Sequence, residues 1–166
     1  MPWQRPMRWW RHAITDRADV ARAFPPASLD RVERAIGEAE ARHAGQIVFA
    51  VEPALPVARV LATLPPRERA LEVFGLLRVW DTEHNNGVLV YVLLADRDVE
   101  IVADRGIAAR VAPAEWESVC RAMEGAFRAG RFEQGALEGI RAVGGLLARH
   151  YPGRGADTLS NAPHLL

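Results

Sequence analysis

The stretch "WDTEHNNGVLVYVLL", Trp80–Leu94, decides how this chain folds. Its first half is acids, amides and a histidine. Its second half, after Gly87, is an unbroken apolar run. A run apolar on both faces reads as a central strand, Val88–Leu94, covered from both sides. The polar run Asp81–Gly87 then turns a helix into that strand. Asn tolerates left-handed conformations and Asn-Gly is a common turn pair, so turn chemistry alone accounts for it. The same residues also carry hard oxygen donors, at Asp81, Glu83, Asn85 and Asn86. An EF-hand loop is excluded: its sixth position must be Gly and is Asn86, and its twelfth must be Glu and is Val92.

The rest of the fold is read outward from this stretch. Upstream, "QIVFAVE", Gln46–Glu52, is a second buried strand. A Pro-punctuated connection leads to a helix opened by Pro65 or Pro66, with Ala70, Val73, Phe74 and Leu77 as its apolar stripe. A strand–helix–strand crossover makes these two strands parallel. Downstream, "ADRD", Ala95–Asp98, is short enough for a hairpin, and "VEIVAD", Val99–Asp104, fits an antiparallel edge strand. A helix from an N-cap at Ser28 to about His43 precedes the first strand. Two more follow the last, one opened by Pro113 and one carrying Phe132, Ala136, Ile140, Val143 and Leu147. Gly135, Gly139 and Gly144 beside that last stripe should let the helix approach the sheet closely. The expected fold is α/β: a three-layer α/β/α sandwich with a small mixed sheet, a parallel pair plus an antiparallel hairpin strand.

Three segments follow. Residues 1–27 read as a basic, Trp-rich N-terminal arm, with Trp3, Trp9 and Trp10 among Arg5, Arg8 and Arg11. Residues 28–151 form the domain, and residues 152–166 read as a flexible tail. The arm suits a protein partner or an anionic membrane surface, through residues 1–24. Its bland reading is a short segment whose Trp side chains pack on the domain.

Composition excludes several functions. Of 166 residues, 21 are acidic and 21 basic, so the overall charge gives no reason to expect nucleic acid. Every basic residue is Arg. Without Lys there is no Walker-type phosphate loop, no Schiff base and no catalytic amine. Cys120 is the only cysteine, which excludes an intrachain disulfide and a thiolate cluster. No G-x-G-x-x-G follows a strand, so no nucleotide cofactor is expected. No run is long enough to span a membrane and no secretory core stands at the start, so the expected location is cytoplasmic, peripheral to the membrane through the arm.

Strand direction places the candidates. The loop before the central strand, "DTEHNNG", and the end of the edge strand, "ADRG", Ala103–Gly106, should meet at one end of the sheet. Asp81, Asn85 and Asn86 would then share a site with Asp104, and Glu52, Asp96 and Asp98 belong to the other end. "LLADRDV" is similar to the D-x-D of haloacid-dehalogenase-type phosphatases. That chemistry needs a helical connection and a basic partner, usually Lys. Here a strand follows at once, so Asp96 and Asp98 read as solvated acids of a hairpin turn. The five His show no metal-site spacing, and Cys120 sits on an apolar helix face as a small hydrophobe.

The segment "VFGLLRVWDTEHNNGVLVYVLLADRDVEIVADRGI", Val73–Ile107, resembles the TPM domain family in its N-N-G run into an apolar strand, the hairpin and the Gly turn that follows. "FRAGRFEQGALEGI", Phe127–Ile140, is similar to that family's late glycine pattern. The resemblance implies an α/β/α sandwich, divalent-metal binding, chiefly calcium, and either weak acid phosphatase activity or a part in assembling membrane protein complexes. Asp81, Asn86, Gly87 and Gly106 match its motifs. The chain departs where Asp104-Arg105-Gly106 replaces G-y-G. Asp104 adds a ligand there, and Arg105 adds a phosphate-binding or pocket-filling charge. Two functions stand: a cytoplasmic binding or accessory module holding calcium or magnesium, or a metal-assisted phosphatase with Arg105 as phosphate clamp. The first is preferred, because no nucleophile or general base is evident.

Overall fold

A computed structural model describes residues 4–166, with side chains from Met7 onward. In chain order it holds helices α1 (Gln4–Ile14), α2 (Arg17–Ala23) and α3 (Pro26–Glu40), then strand β1 (Gln46–Glu52). Helices α4 (Val57–Leu61) and α5 (Pro66–Leu76) lead to β2 (Gly87–Leu93). A 3₁₀ turn, Leu94–Asp96, joins β2 to β3 (Asp98–Ala103). The chain closes with α6 (Arg105–Ala108), α7 (Pro113–Arg128), α8 (Phe132–His150) and β4 (His164–Leu165).

The sheet order is β3-β2-β1-β4. β1 and β2 run parallel, Gln46 opposite Gly87 through Glu52 opposite Leu93. β3 is antiparallel to β2, Leu93 opposite Asp98 and Val88 opposite Ala103. The mixed α/β sandwich read from the sequence is the fold observed. Every residue of β1 and β2 is buried, because both faces are covered. Side chains alternate across the sheet. Ile47, Phe49 and Val51 with Val88, Val90 and Val92 join α3, α7 and α8 in one core. Val48, Ala50, Leu89, Tyr91 and Leu93 join Leu55, Val60, Ala70 and Val73 in the other.

Several local expectations are corrected. α3 starts at Pro26, and Ser28 is buried inside it with its hydroxyl donating to Glu133 of α8, so Ser28 is no N-cap. The glycines of α8 serve helix–helix contact. A Cβ on Gly139 would meet Met123 Sδ at 2.2 Å, and one on Gly144 would meet Ala39 Cβ at 2.9 Å. The close approach is therefore to α7 and α3, with the sheet beneath.

The ends of the chain also differ from a free arm and a loose tail. α2 buries Val20, and Phe24 behind it stacks edge-on against Phe49, Phe127 and Phe132 in the main core. α1 contacts α4 and the 3₁₀ turn. Trp3 and the Arg5 side chain lie outside the described residues. At the other end, β4 adds a short parallel strand beside β1, Ala50 opposite His164. Gln46 holds the preceding loop, donating to the Ala156 carbonyl at 2.7 Å and accepting from Thr158 at 3.0 Å. The tail orders because β1 leaves an unpaired edge, whose backbone groups need partners.

Candidate functional site

The Asn-Asn-Gly run is a joint between three segments. Asn85 sits in the left-handed region at φ 50°, and its carbonyl accepts from Gly106 N–H at 2.8 Å and Ile107 N–H at 3.3 Å. Asn86 is 1% exposed; its backbone N–H donates to Thr82 Oγ1 at 3.0 Å, and its side-chain Nδ2 to the Ala44 carbonyl at 3.2 Å. Gly87 is required by contact: a Cβ there would stand 2.1 Å from the Val79 carbonyl. Gly106 is required likewise, since a Cβ would stand 2.4 Å from His84 O and 2.6 Å from Asn85 O. Asp104 N–H donates to Gly87 O at 2.9 Å, so the two loops are laced together by backbone bonds.

Beside this joint lies a hollow of about 450 Å³ lined by Trp80, Asp81, Thr82, Asn85, Asp104 and Arg105. The structure thus gathers Asp81, Asn85, Asp104 and Arg105 around one space. Asn86 lies outside it, with its amide turned toward the loop before β1. Asp81 is half exposed and paired with Arg78 at 2.7 Å. Asp104 caps α6, Oδ1 accepting from Arg105 N–H at 2.8 Å, while its other oxygen, Oδ2, is buried and accepts no hydrogen bond. Arg105 is exposed on the rim. Among the described residues, no three His, Cys, Asp or Glu side chains come together as a metal cluster. The oxygens that do gather are two carboxylates, one amide and one hydroxyl. That donor set suits a hard cation, weakly held.

The opposite end of the sheet carries two polar clusters that sequence reasoning missed. Asp96 is not solvated. It accepts from Arg8 Nε at 3.0 Å and Arg11 Nη2 at 3.2 Å, and His12 Nε2 lies 3.1 Å from its Oδ2, off the line of an ideal bond. Leu55 N–H donates to His12 Nδ1 at 2.9 Å, which places the ring proton of the neutral imidazole on Nε2, facing Asp96. Burial pushes the Asp96 carboxyl up, yet His12 and Arg8 outweigh it and hold the group below its usual range. The hairpin reading missed this because Arg11 and Asp96 are 85 residues apart in sequence.

The second cluster joins the layers. Arg69 of α5 grips Glu52 at the end of β1 with two bonds of 2.9 Å, and Tyr91 donates its hydroxyl to Glu52 Oε2 at 2.5 Å. Burial and the Glu52 carboxylate push the Tyr91 hydroxyl far above its ordinary range. An Arg three residues into a helix and an acid ending a strand were visible separately. Nothing in their spacing showed that they pair.

Comparison with known proteins agrees with the fold. No curated protein matches the chain. Among solved structures, the NMR structure of BA42 protein from the psychrophilic bacterium Bizionia argentinensis is similar, with a TM-score of 0.74 and 29% identity. That match covers 84% of this chain and 93% of the other. The model of the TPM domain matches residues 17–146, most of the chain and including every residue of the hollow. The chain belongs to the TPM domain family.

Proposed function

We propose that this TPM domain is a binding or accessory module whose loop junction at the start of β2 holds a divalent cation, calcium or magnesium. One observation carries the reading: Asp104 borders the hollow with a buried carboxylate oxygen that has no hydrogen-bond partner. A buried acceptor without a donor is costly, and a cation is one way to satisfy it. Asp81 and the Asn85 amide complete the donors, and Asp81 must leave Arg78 to join them. Asn86 is omitted, because its side chain is committed to Ala44. The exposed stripe Met7, Trp10 and Ile14 on α1 supports a partner, here an anionic membrane surface.

The test is thermal melting with calcium or magnesium at about 10 mM, above the millimolar range of weak calcium sites. A ligand that binds only the folded state raises the melting temperature by mass action. We expect a rise in the wild type and none in Asp104→Asn. No rise with either ion overturns the cation reading. A metal-assisted phosphatase is the second reading, favoured by Arg105, which lines the same hollow and makes no ion pair among the described residues. Hydrolysis of an aryl phosphate that persists unchanged in Asp104→Asn and Arg105→Ala removes it.

A further inference from the structure

The edge strand β3 poses a separate question. Its even residues pair with β2, as the Leu93–Asp98 register and the bond from Asp104 N–H to Gly87 show. The backbone groups of Val99, Ile101 and Ala103 therefore face away from the sheet. Two of them are held by side chains. Glu124 of α7 accepts from Val99 N–H at 3.3 Å, and Arg67 of α5 donates to the Ile101 carbonyl. A carboxylate and a guanidinium thus stand where the carbonyl and amide of a neighbouring strand would stand. Charged side chains of this kind guard a strand edge against indiscriminate pairing.

Beside the edge runs a groove of about 550 Å³, with Val99, Ile101, Ala103, Val111 and Trp116 among its lining. Trp116 is 9% exposed, and its indole N–H has no acceptor. An unpaired donor on a side chain that lines this groove is matched by a ligand that brings a carbonyl oxygen. The charge of the groove is uneven. Glu100, Glu117 and Glu124 line it against Arg67 and Arg121, and the neighbouring Asp98 has a buried carboxylate oxygen without a partner. Burial, with Glu100 and Glu124 close by, pushes the Asp98 carboxyl up to about 7. Glu100 pairs with Arg67, Glu117 with Arg121 and Glu124 with Arg128, so among the described residues Asp98 is the acid here left without a base.

We propose that this edge and groove dock an extended, basic peptide segment of a partner protein. The segment adds antiparallel or parallel to β3, displaces Arg67 and Glu124 from the backbone, gives a carbonyl to Trp116 and sets an Arg or Lys among Asp98, Glu100 and Glu124. Strand addition of this kind takes affinity from main-chain bonds and specificity from side-chain pockets. A second copy of this chain does not suit the site. Antiparallel pairing of β3 with its own copy across Glu100 would crowd the acids of both chains, which is destabilising.

The test uses the full chain, labelled with ¹⁵N, and a blocked hexapeptide alternating valine with arginine. A control peptide carries glutamate in place of arginine. We expect the Trp116 indole resonance and the Val99, Ile101 and Ala103 amides to shift together with the arginine peptide alone. Trp116→Phe, which keeps an aromatic ring and removes the donor, and Glu124→Arg should each weaken the peptide at least tenfold while leaving the remaining spectrum folded. Equal binding of the glutamate peptide, shifts centred elsewhere, or no indole shift at all would overturn the proposal. So would concentration-dependent dimerisation that moves the same resonances without peptide.

Discussion

Gly87 stands where the backbone of one loop crosses the start of the next strand. Its missing side chain lets the Val79 carbonyl come within what would be 2.1 Å of a Cβ. Gly87→Ala must push β2 or the loop aside, and because both are buried there is little room to give. The expected cost is about 3 kcal/mol or more, at the severe end of single substitutions. Gly75→Ala is the control, since a Cβ there meets nothing within 4 Å and α5 gains propensity. Urea denaturation of both variants checks this, and equal stability would show that the loop yields freely. The sequence marked Asn86-Gly87 as a turn pair; in the structure the left-handed residue is Asn85, and Gly87 is required by contact with Val79 rather than by its conformation. The sequence did not mark Asn86 as a tie to Ala44, because that tie spans 42 residues and carries no pattern of its own.

At the scale of elements, α1 is read differently in structure than in sequence. The sequence shows Arg and Trp mixed along one segment. In the structure they are sorted: Arg8 and His12 turn inward onto Asp96 and Arg11 reaches it from the surface, while Met7, Trp10 and Ile14 stay at least half exposed along one stripe. Leu61 of the adjoining α4 is also exposed. Much of the basic charge is therefore answered within the molecule. Binding to vesicles with anionic lipid should depend on the apolar stripe more than on salt. In sedimentation, Trp10→Ser with Ile14→Ser should abolish capture, and raising the salt from low to physiological should weaken the wild type only modestly. Capture that vanishes with salt but survives the double substitution would contradict this. Deleting residues 1–24 is the poorer probe, because it removes Val20 and Phe24 from the core.

At the scale of the molecule, two half-buried acids make stability depend on pH. Burial pushes Glu40 up to about 7, with Asp157 adding to it, and burial likewise pushes Asp98 up to about 7. In the unfolded chain carboxyls titrate near 4. Between those values the folded state holds more protons, so both groups favour folding in acid and lose that effect as pH rises from about 4 through 7. His43 opposes them: burial holds its pKa down, so protonation below about 6.5 favours unfolding. Comparing the wild type with the Glu40→Gln, Asp98→Asn double variant isolates the two acids. The variant should melt higher than the wild type at pH 8, and that gain should shrink steadily toward pH 5. A gain independent of pH would mean the two carboxyls do not titrate as placed. The sequence by itself determined the strands, the parallel crossover, the hairpin and the meeting of two loops at one end of the sheet. Each of these follows from short-range periodicity, turn residues and chain direction. Tertiary structure alone decided that Asp96 and Glu52 are buried in ion pairs, that the last residues pair with β1 and that Glu124 and Arg67 cover the edge of β3. Those depend on contacts between segments far apart in sequence, where no local pattern records which side chain meets which.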